Sequence, residues 1–370
     1  MFKNSLLYPE KDISNCGLAG FINKDKKRVD GSIITKIIAN QHDRGNGLGG
    51  GFAVYGLYPE YEDKYVFHLM YEHQKAKEET ESFLNKFFRV IKSEEIPTRQ
   101  IEEIKNSPLH YRYFVELSDE KKPASLSLLS EEDYVVNRTI EINKNIDGAF
   151  VVSSGKNFAA FKGVGFPEDI SKFFMLENYK GYAWTAHNRF PTNTPGWWGG
   201  AHPFTLLDFS IVHNGELSSY GINKRYVEMF GYECTMLTDS EVVAYLVDLL
   251  VRKHRLPFKV VCDIFSPPTW DYINNIEDKE IKEYHKKLRI VYGSALLNGP
   301  FAFIIGFNGG LVGLSDRIKL RPLVVVESGN TTYLSSEESS VLEVCNKIDS
   351  VWHPKAGEPV FAFYNDYKGE

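Results

Sequence analysis

The chain has 370 residues, which suits one large domain or two ordinary ones, and with 43% hydrophobic and 25% charged residues it can bury a sizeable core, which excludes a disordered chain. A formal net charge of -6 offers no basic field to a phosphate backbone and argues against nucleic acid as a partner. No apolar run approaches the ~20 residues of a membrane span, so no membrane partner is expected.

The first fifteen residues lack an apolar stretch long enough for secretion, because Pro9, Glu10, Lys11 and Asp12 interrupt it. The four cysteines (Cys16, Cys234, Cys262, Cys345) form no C-x-x-C pair, which fits a reducing cytoplasm and neither a zinc ribbon nor a disulfide scaffold. Residues 16–22 read as a strand with Cys16 at its head. Taken alone, Cys16 reads as a small buried core residue. If residues 1–15 are removed, its thiol shares a residue with a free α-amine, which titrates near ~7.7–8.0 and can act as a base.

Residues 32–39 read as a short helix. The stretch 41–56 holds five glycines before Phe52, but a strand follows them and not a helix, so a nucleotide loop is rejected. A backbone passing close to another element, such as the catalytic strand, is the better reading. Residues 58 to about 140 read as an insertion: a strand over 64–71, a charged amphipathic helix over 74–91, a strand over 110–117 and a polar stretch over 121–132. Residues 149–152 and 158–161 read as an antiparallel hairpin, followed by a helix over 168–175.

Three later stretches carry chemistry. A strand over 181–185 delivers Arg189, whose planar fork suits a carboxylate, although a surface arginine at a strand end is the commoner case. An apolar strand ends in His213-Asn214-Gly215, where an amide and a glycine N–H can converge on one oxyanion; alone, Asn-Gly favours a type I′ turn. Thr238 and Glu241 have capping-box spacing before a helix over 239–252, and the Asp239 carboxylate between them can hold an ammonium group. His187, His202 and His213 lack the helical spacing of a metal motif and read as supports of loops, so no metal is expected. Helices around 260–264 and 278–287 follow, then strands over 301–307, 311–314, 323–327, 332–334 and 360–364. Two helix layers over two antiparallel sheets accommodate this order. A thiol, an oxyanion pair, a cation and a carboxylate together describe the handling of a free amino acid with a carbonyl to attack, and L-glutamine fits.

The run His187-x-Arg189-Phe190-x-Thr192-Asn193-Thr194, then Trp197 or Trp198, Pro203-Phe204 and His213-Asn214-Gly215-Glu216 resembles the class II, N-terminal-nucleophile (Ntn) glutamine amidotransferases. More narrowly it is similar to the glutaminase domain of glutamate synthase. Asp316-Arg317-x-x-Leu320-Arg321-Pro322 resembles a later motif of that domain, with Lys319 where glycine is usual, and Ser336-Glu337 and Lys355-Ala356-Gly357-Glu358 resemble its end. Pro191 and His202 depart from the pattern, standing where a small hydroxyl residue and glutamine are common.

The resemblance implies an α+β fold: a four-layer αββα Ntn-hydrolase sandwich over 16–370, with a small ferredoxin-like insertion. It implies that residues 1–15 are a propeptide lost autocatalytically, with Cys16 as the nucleophile. Asn214 and Gly215 would form the oxyanion hole. Arg189 and Asp239 would bind the glutamine carboxylate and ammonium, and Thr192 and His213 would line the pocket. It further implies no cofactor in this chain, with FMN and iron–sulfur clusters only on a separate synthase subunit that receives ammonia. Two alternatives remain: a cysteine Ntn hydrolase acting on another amide, and a non-catalytic glutamine-sensing or scaffold subunit.

Overall fold

A computed structural model describes residues 15–123, 126, 128–190, 196–345 and 347–368. The strand Gly17–Asn23 is apolar on both faces because both are covered. Leu18 and Ile22 point into a core shared with a second sheet, while Ala19 and Phe21 point outward towards helices. Gly20 lies on the inner face, where a Cβ would stand 3.3 Å from Ile304 Cγ2 of the facing sheet. A bare backbone at this point lets the two sheets approach.

This strand is central in a seven-stranded sheet ordered Ser350–Trp352, Val324–Ser328, Thr331–Ser335, Gly17–Asn23, Ala183–Asn188, Gly50–Tyr55 and Phe158–Gly163. A five-stranded sheet lies against it, ordered Phe204–Leu206, Phe209–Gly215, Phe301–Phe307, Gly310–Ser315 and Val360–Phe363. Every pairing in both sheets is antiparallel. Val212, Ala302, Ile304 and Leu311 meet Leu18, Ile22, Ala53 and Leu334 between the sheets. Helices Ser32–Ala39 and Pro167–Phe174 cover the outer face of the larger sheet through Ile34, Ile37, Phe173 and Phe174. Helices Asp239–Val247 and Phe258–Phe265 cover the smaller one, packing on Ile211, Phe303 and Ile305. The result is a four-layer αββα sandwich.

Strands Tyr65–Tyr71, Arg89–Glu95, Leu109–Glu116 and Ala149–Ser153, with helices Gln74–Phe87 and Glu131–Asn145, form a β-α-β-β-α-β unit with its own antiparallel sheet. Its sheet order, second-third-first-fourth strand, is the ferredoxin-like one. Two local expectations fail here. The helix stops at Phe87, and Arg89–Glu95 is a strand. It is an edge strand with one partner and a mostly exposed, charged face, so it carries no apolar alternation that would distinguish it from a helix. Strand Ala149–Ser153 forms no hairpin with Phe158–Gly163: it pairs with Tyr65–Tyr71, while Phe158–Gly163 pairs with Gly50–Tyr55. A short turn between two apolar runs specifies proximity, not pairing, and each run here finds a longer partner elsewhere. No helix among the described residues is long and apolar enough to cross a membrane.

Candidate active site

The register Gly17↔Asn188 brings Cys16 to the end of the neighbouring strand, where Arg189 and Phe190 emerge. The Phe190 N–H donates to Cys16 Sγ at 3.2 Å, and Arg44 Nε donates to the Cys16 carbonyl at 3.2 Å. Burial pushes the Cys16 thiol above its ordinary value, opposed by the Phe190 N–H and by the charges of Arg189 and Arg321. In the chain carrying residues 1–15, the Cys16 nitrogen is a peptide amide and offers no base.

The glycine-rich stretch does pass close to another element, but that element is the strand Ala183–Asn188 that ends at Arg189 and not the strand headed by Cys16. Arg189 N–H donates to the Gly49 carbonyl at 2.9 Å, Asn46 N–H to the Arg189 carbonyl at 3.1 Å, and Arg189 Nη1 to the Leu48 carbonyl at 3.2 Å. Arg189 is thereby held in a buried position, and burial lowers its pKa against the favourable pull of Cys16.

Asn214 and Gly215 occupy the last positions of strand Phe209–Gly215, opposite Ala302 and Phe301, so the hairpin-turn reading fails. Alternation along this strand puts Val212 on the inter-sheet side and Ile211 on the helix side. Asn214 therefore shares the inter-sheet side, the one on which Leu18 and, by the same alternation, Cys16 stand. Among the described residues its buried Nδ2 has no hydrogen-bond partner, which leaves a donor ready at the end of the sheets. Gly215 has φ +149°, and a Cβ there would lie 2.0 Å from the Pro300 carbonyl oxygen, so only glycine fits.

Asp239 opens helix Asp239–Val247, capped by the Thr238 side chain, which accepts from Ser240 N–H at 3.1 Å. The reciprocal half of the expected capping box is not formed. The Glu241 carboxylate instead accepts the N–H groups of Thr235 and Met236, each at 2.9 Å, and the Tyr245 hydroxyl. Glu241 thus closes the loop before the helix, and burial pushes its carboxyl up to about 7. Asp239 Oδ2 accepts Leu217 N–H at 2.9 Å. Burial alone would raise the Asp239 carboxyl; contacts with His213, Leu217 N–H and Ser240 more than offset it and hold it below the usual carboxylate range.

These elements meet in a cavity of about 330 Å³. Its wall includes Cys16, Arg189, His213, Gly215 and Asp239, five of the seven residues expected at the site. Asn214 precedes Gly215 on strand Phe209–Gly215, and Thr192 lies outside the described residues. The wall also includes His202, Glu216, Tyr220 and Ser240, which sequence reasoning did not assign to it. Ser240 follows Asp239 directly and Glu216 follows Gly215, and those adjacencies were the available signals. His187 and His202 stack at 3.9 Å between ring centres, and burial, with neighbouring cations adding, holds both below the ordinary histidine range. Among the described residues no group of three His, Cys, Asp or Glu side chains is disposed to hold a metal. A thiol, a guanidinium and a carboxylate on one wall, with the Asn214 amide at the end of the adjoining strand, can bind a zwitterionic amino acid and expose its carbonyl to attack.

Residues 60–353 match the family model described as "Glutamine amidotransferases class-II"; this span contains Arg189, Thr192, His213, Asn214, Gly215 and Asp239 and excludes Cys16. An uncharacterized protein of Archaeoglobus fulgidus is 51% identical over 361 residues, covering 96% of this chain and 94% of its own length. A putative glutamine amidotransferase of Methanothermobacter thermautotrophicus is 24% identical over 335 residues, covering 89% and 93%. The amidophosphoribosyltransferase of Methanocaldococcus jannaschii is 30% identical over 200 residues, 53% of this chain and 36% of that one. Among solved structures, the glutamine phosphoribosylpyrophosphate amidotransferase of B. subtilis aligns with a TM-score of 0.45 and 15% identity, over 93% of this chain and 46% of its own. By its family match over most of its length, this chain belongs to the class-II glutamine amidotransferases.

Proposed function

We propose that the protein hydrolyses L-glutamine to L-glutamate and ammonia, with Cys16 as nucleophile once residues 1–15 are removed. What supports this is one cavity walled by Cys16, Arg189, Gly215 and Asp239, with the unpartnered Asn214 amide beside it. Arg189 takes the α-carboxylate and Asp239 the α-ammonium, which directs the side-chain amide at the thiol. The freed α-amine of Cys16 removes the thiol proton as sulfur attacks the amide carbon. Asn214 Nδ2 and Gly215 N–H receive the charge on oxygen. The amine returns the proton to the departing ammonia, and water then cleaves the glutamyl thioester, releasing glutamate and restoring the thiol.

The ammonia goes to a separate synthase subunit of the glutamate synthase type, which carries the FMN and iron–sulfur clusters. The motifs that resemble the glutaminase domain of that enzyme support this choice. A cytoplasmic location belongs to the same proposal.

Ammonia release from glutamine by the wild type, and its loss in Cys16→Ala, tests the activity. Intact mass tests the processing: a fully active protein still carrying residues 1–15 would sink the free-amine mechanism. Co-purification followed by a flavin absorbance scan tests the partner, and a partner without flavin would overturn that assignment.

A further inference from the structure

Behind the Asp239 carboxylate lies a buried polar cluster to which the mechanism above gives no role. His202 Nε2 is 2.8 Å from Ser240 Oγ, and His213 Nδ1 is 3.0 Å from the same oxygen. Ser240 Oγ is 3.3 Å from Asp239 Oδ1. His187 Nε2 is 2.8 Å from the His213 carbonyl. Ser240, His187, His202 and His213 are each at most 8% exposed.

Proton counting fixes how these groups are joined. A hydroxyl has one hydrogen and two lone pairs, and an ionised carboxylate only accepts. If Ser240 gave its hydrogen to a histidine, its lone pairs would face the Asp239 anion with no proton between them. The hydrogen therefore goes to Asp239 Oδ1, and both imidazoles donate to Ser240 Oγ. That makes His202 the Nε2–H tautomer and His213 the Nδ1–H tautomer. His187 is Nε2–H, since a carbonyl can only accept. The remaining nitrogens, His187 Nδ1, His202 Nδ1 and His213 Nε2, are then bare, and all three are buried without partners among the described residues. Each ring's one N–H is used, and the three unused nitrogens are left as bare acceptors; the opposite tautomers would bury three N–H donors in their place.

We propose that the Ser240 hydroxyl is a hub that aims Asp239 at the substrate ammonium, with His202 and His213 fixing its orientation through its two lone pairs. Ser240 and His202 are then positioning residues, acting on glutamine through Asp239. Helix Asp239–Val247 supplies the hub and strand Phe209–Gly215 supplies His213, so the ammonium clamp and the oxyanion corner are held in one register. This rests on the functional reading above.

Two measurements test it. Steady-state glutamine hydrolysis by Ser240→Ala is expected to show KM raised about 10-fold with kcat changed much less, because the hub serves binding of the ammonium. His202→Leu is expected to behave likewise. His202→Gln, whose amide N–H replaces Nε2–H, is expected to recover most of the loss. An unchanged KM in folded Ser240→Ala, or equal defects in His202→Leu and His202→Gln, would overturn the proposal. Nitrogen-15 NMR of the wild-type imidazoles reads the hub without turnover. Nε2–H at His202 and Nδ1–H at His213 are expected; the opposite tautomer at either overturns it. A wild type with these tautomers but no glutamine turnover would leave the hub standing and remove the functional reading.

Discussion

At the scale of single residues, the site depends on groups whose alternatives are excluded by geometry. Asn214 Nδ2 is a buried donor with no acceptor among the described residues, and such a group costs free energy until a ligand meets it. Its removal should therefore spare the fold and harm the reaction. Asn214→Ala is expected to lower kcat for glutamine hydrolysis roughly 10²–10³-fold with little change in melting temperature. A rate within a factor of about three of wild type would remove Asn214 from the oxyanion hole. Gly215 is constrained in the opposite way. A Cβ there meets the Pro300 carbonyl and the backbone sits at φ +149°. Gly215→Ala is expected to destabilise the protein by about 1–3 kcal/mol in denaturant unfolding as well as to impair activity.

At the scale of elements, the helix Asp239–Val247 carries both the ammonium clamp and its own start signal. Thr238 caps it, and Asp239 and Glu241 lie in its first turn, where negative charge is favourable. Loss of the cap should loosen the turn that carries Asp239. Thr238→Ala is expected to cost about 1 kcal/mol in chemical denaturation and to raise KM for glutamine with it. An effect on stability without one on KM would show that His213, Leu217 and Ser240 hold Asp239 without help from the cap. The edge strand Arg89–Glu95 illustrates the other behaviour: its charged, solvent-facing side chains contribute little packing, and pairing with Leu109–Glu116 decides its conformation.

At the scale of the whole molecule, burial of charge behind the site makes stability depend on pH. Lys162 is 4% exposed, donates Nζ to the Gly199 carbonyl at 2.9 Å and stands over the Phe204 ring. Burial lowers it from an ordinary 10.5 to about 7, against the pull of Glu241. Between those values the unfolded chain holds a proton that the folded one lacks. Stability contributed by this group is therefore present at high pH and lost as pH falls towards 7, by at most about 1.4 kcal/mol per unit. Lys162→Met is expected to flatten the wild-type rise in melting temperature between pH 7 and 10. Parallel profiles for the two proteins would show that Lys162 stays charged in the fold.

Much of this molecule is legible in its residue order. The strand headed by Cys16, the helix over 32–39, the cap at Thr238 and the apolar runs of the later strands are local patterns, set by side-chain chemistry within a few residues. The candidate residues Arg189, Asn214 and Asp239 also stood out, because each combines a distinctive side chain with a strand end or helix start, and Gly215 stood out beside Asn214. Pairing was not legible. Two apolar runs separated by a turn look alike whether they bond to each other or to distant strands, and the choice at Ala149–Ser153 was made by the sheet it joined. The Asn-Gly pair looked like a turn until its strand was seen paired across to Ala302 and Phe301. The convergence of His202, His213 and Ser240 on one oxygen was also hidden, since those residues come from a loop, a strand and a helix that only the packed layers bring within hydrogen-bond reach. Local sequence specifies what each segment can do; which segments share a cavity is decided by long-range burial, because only the assembled sheets exclude water from that place.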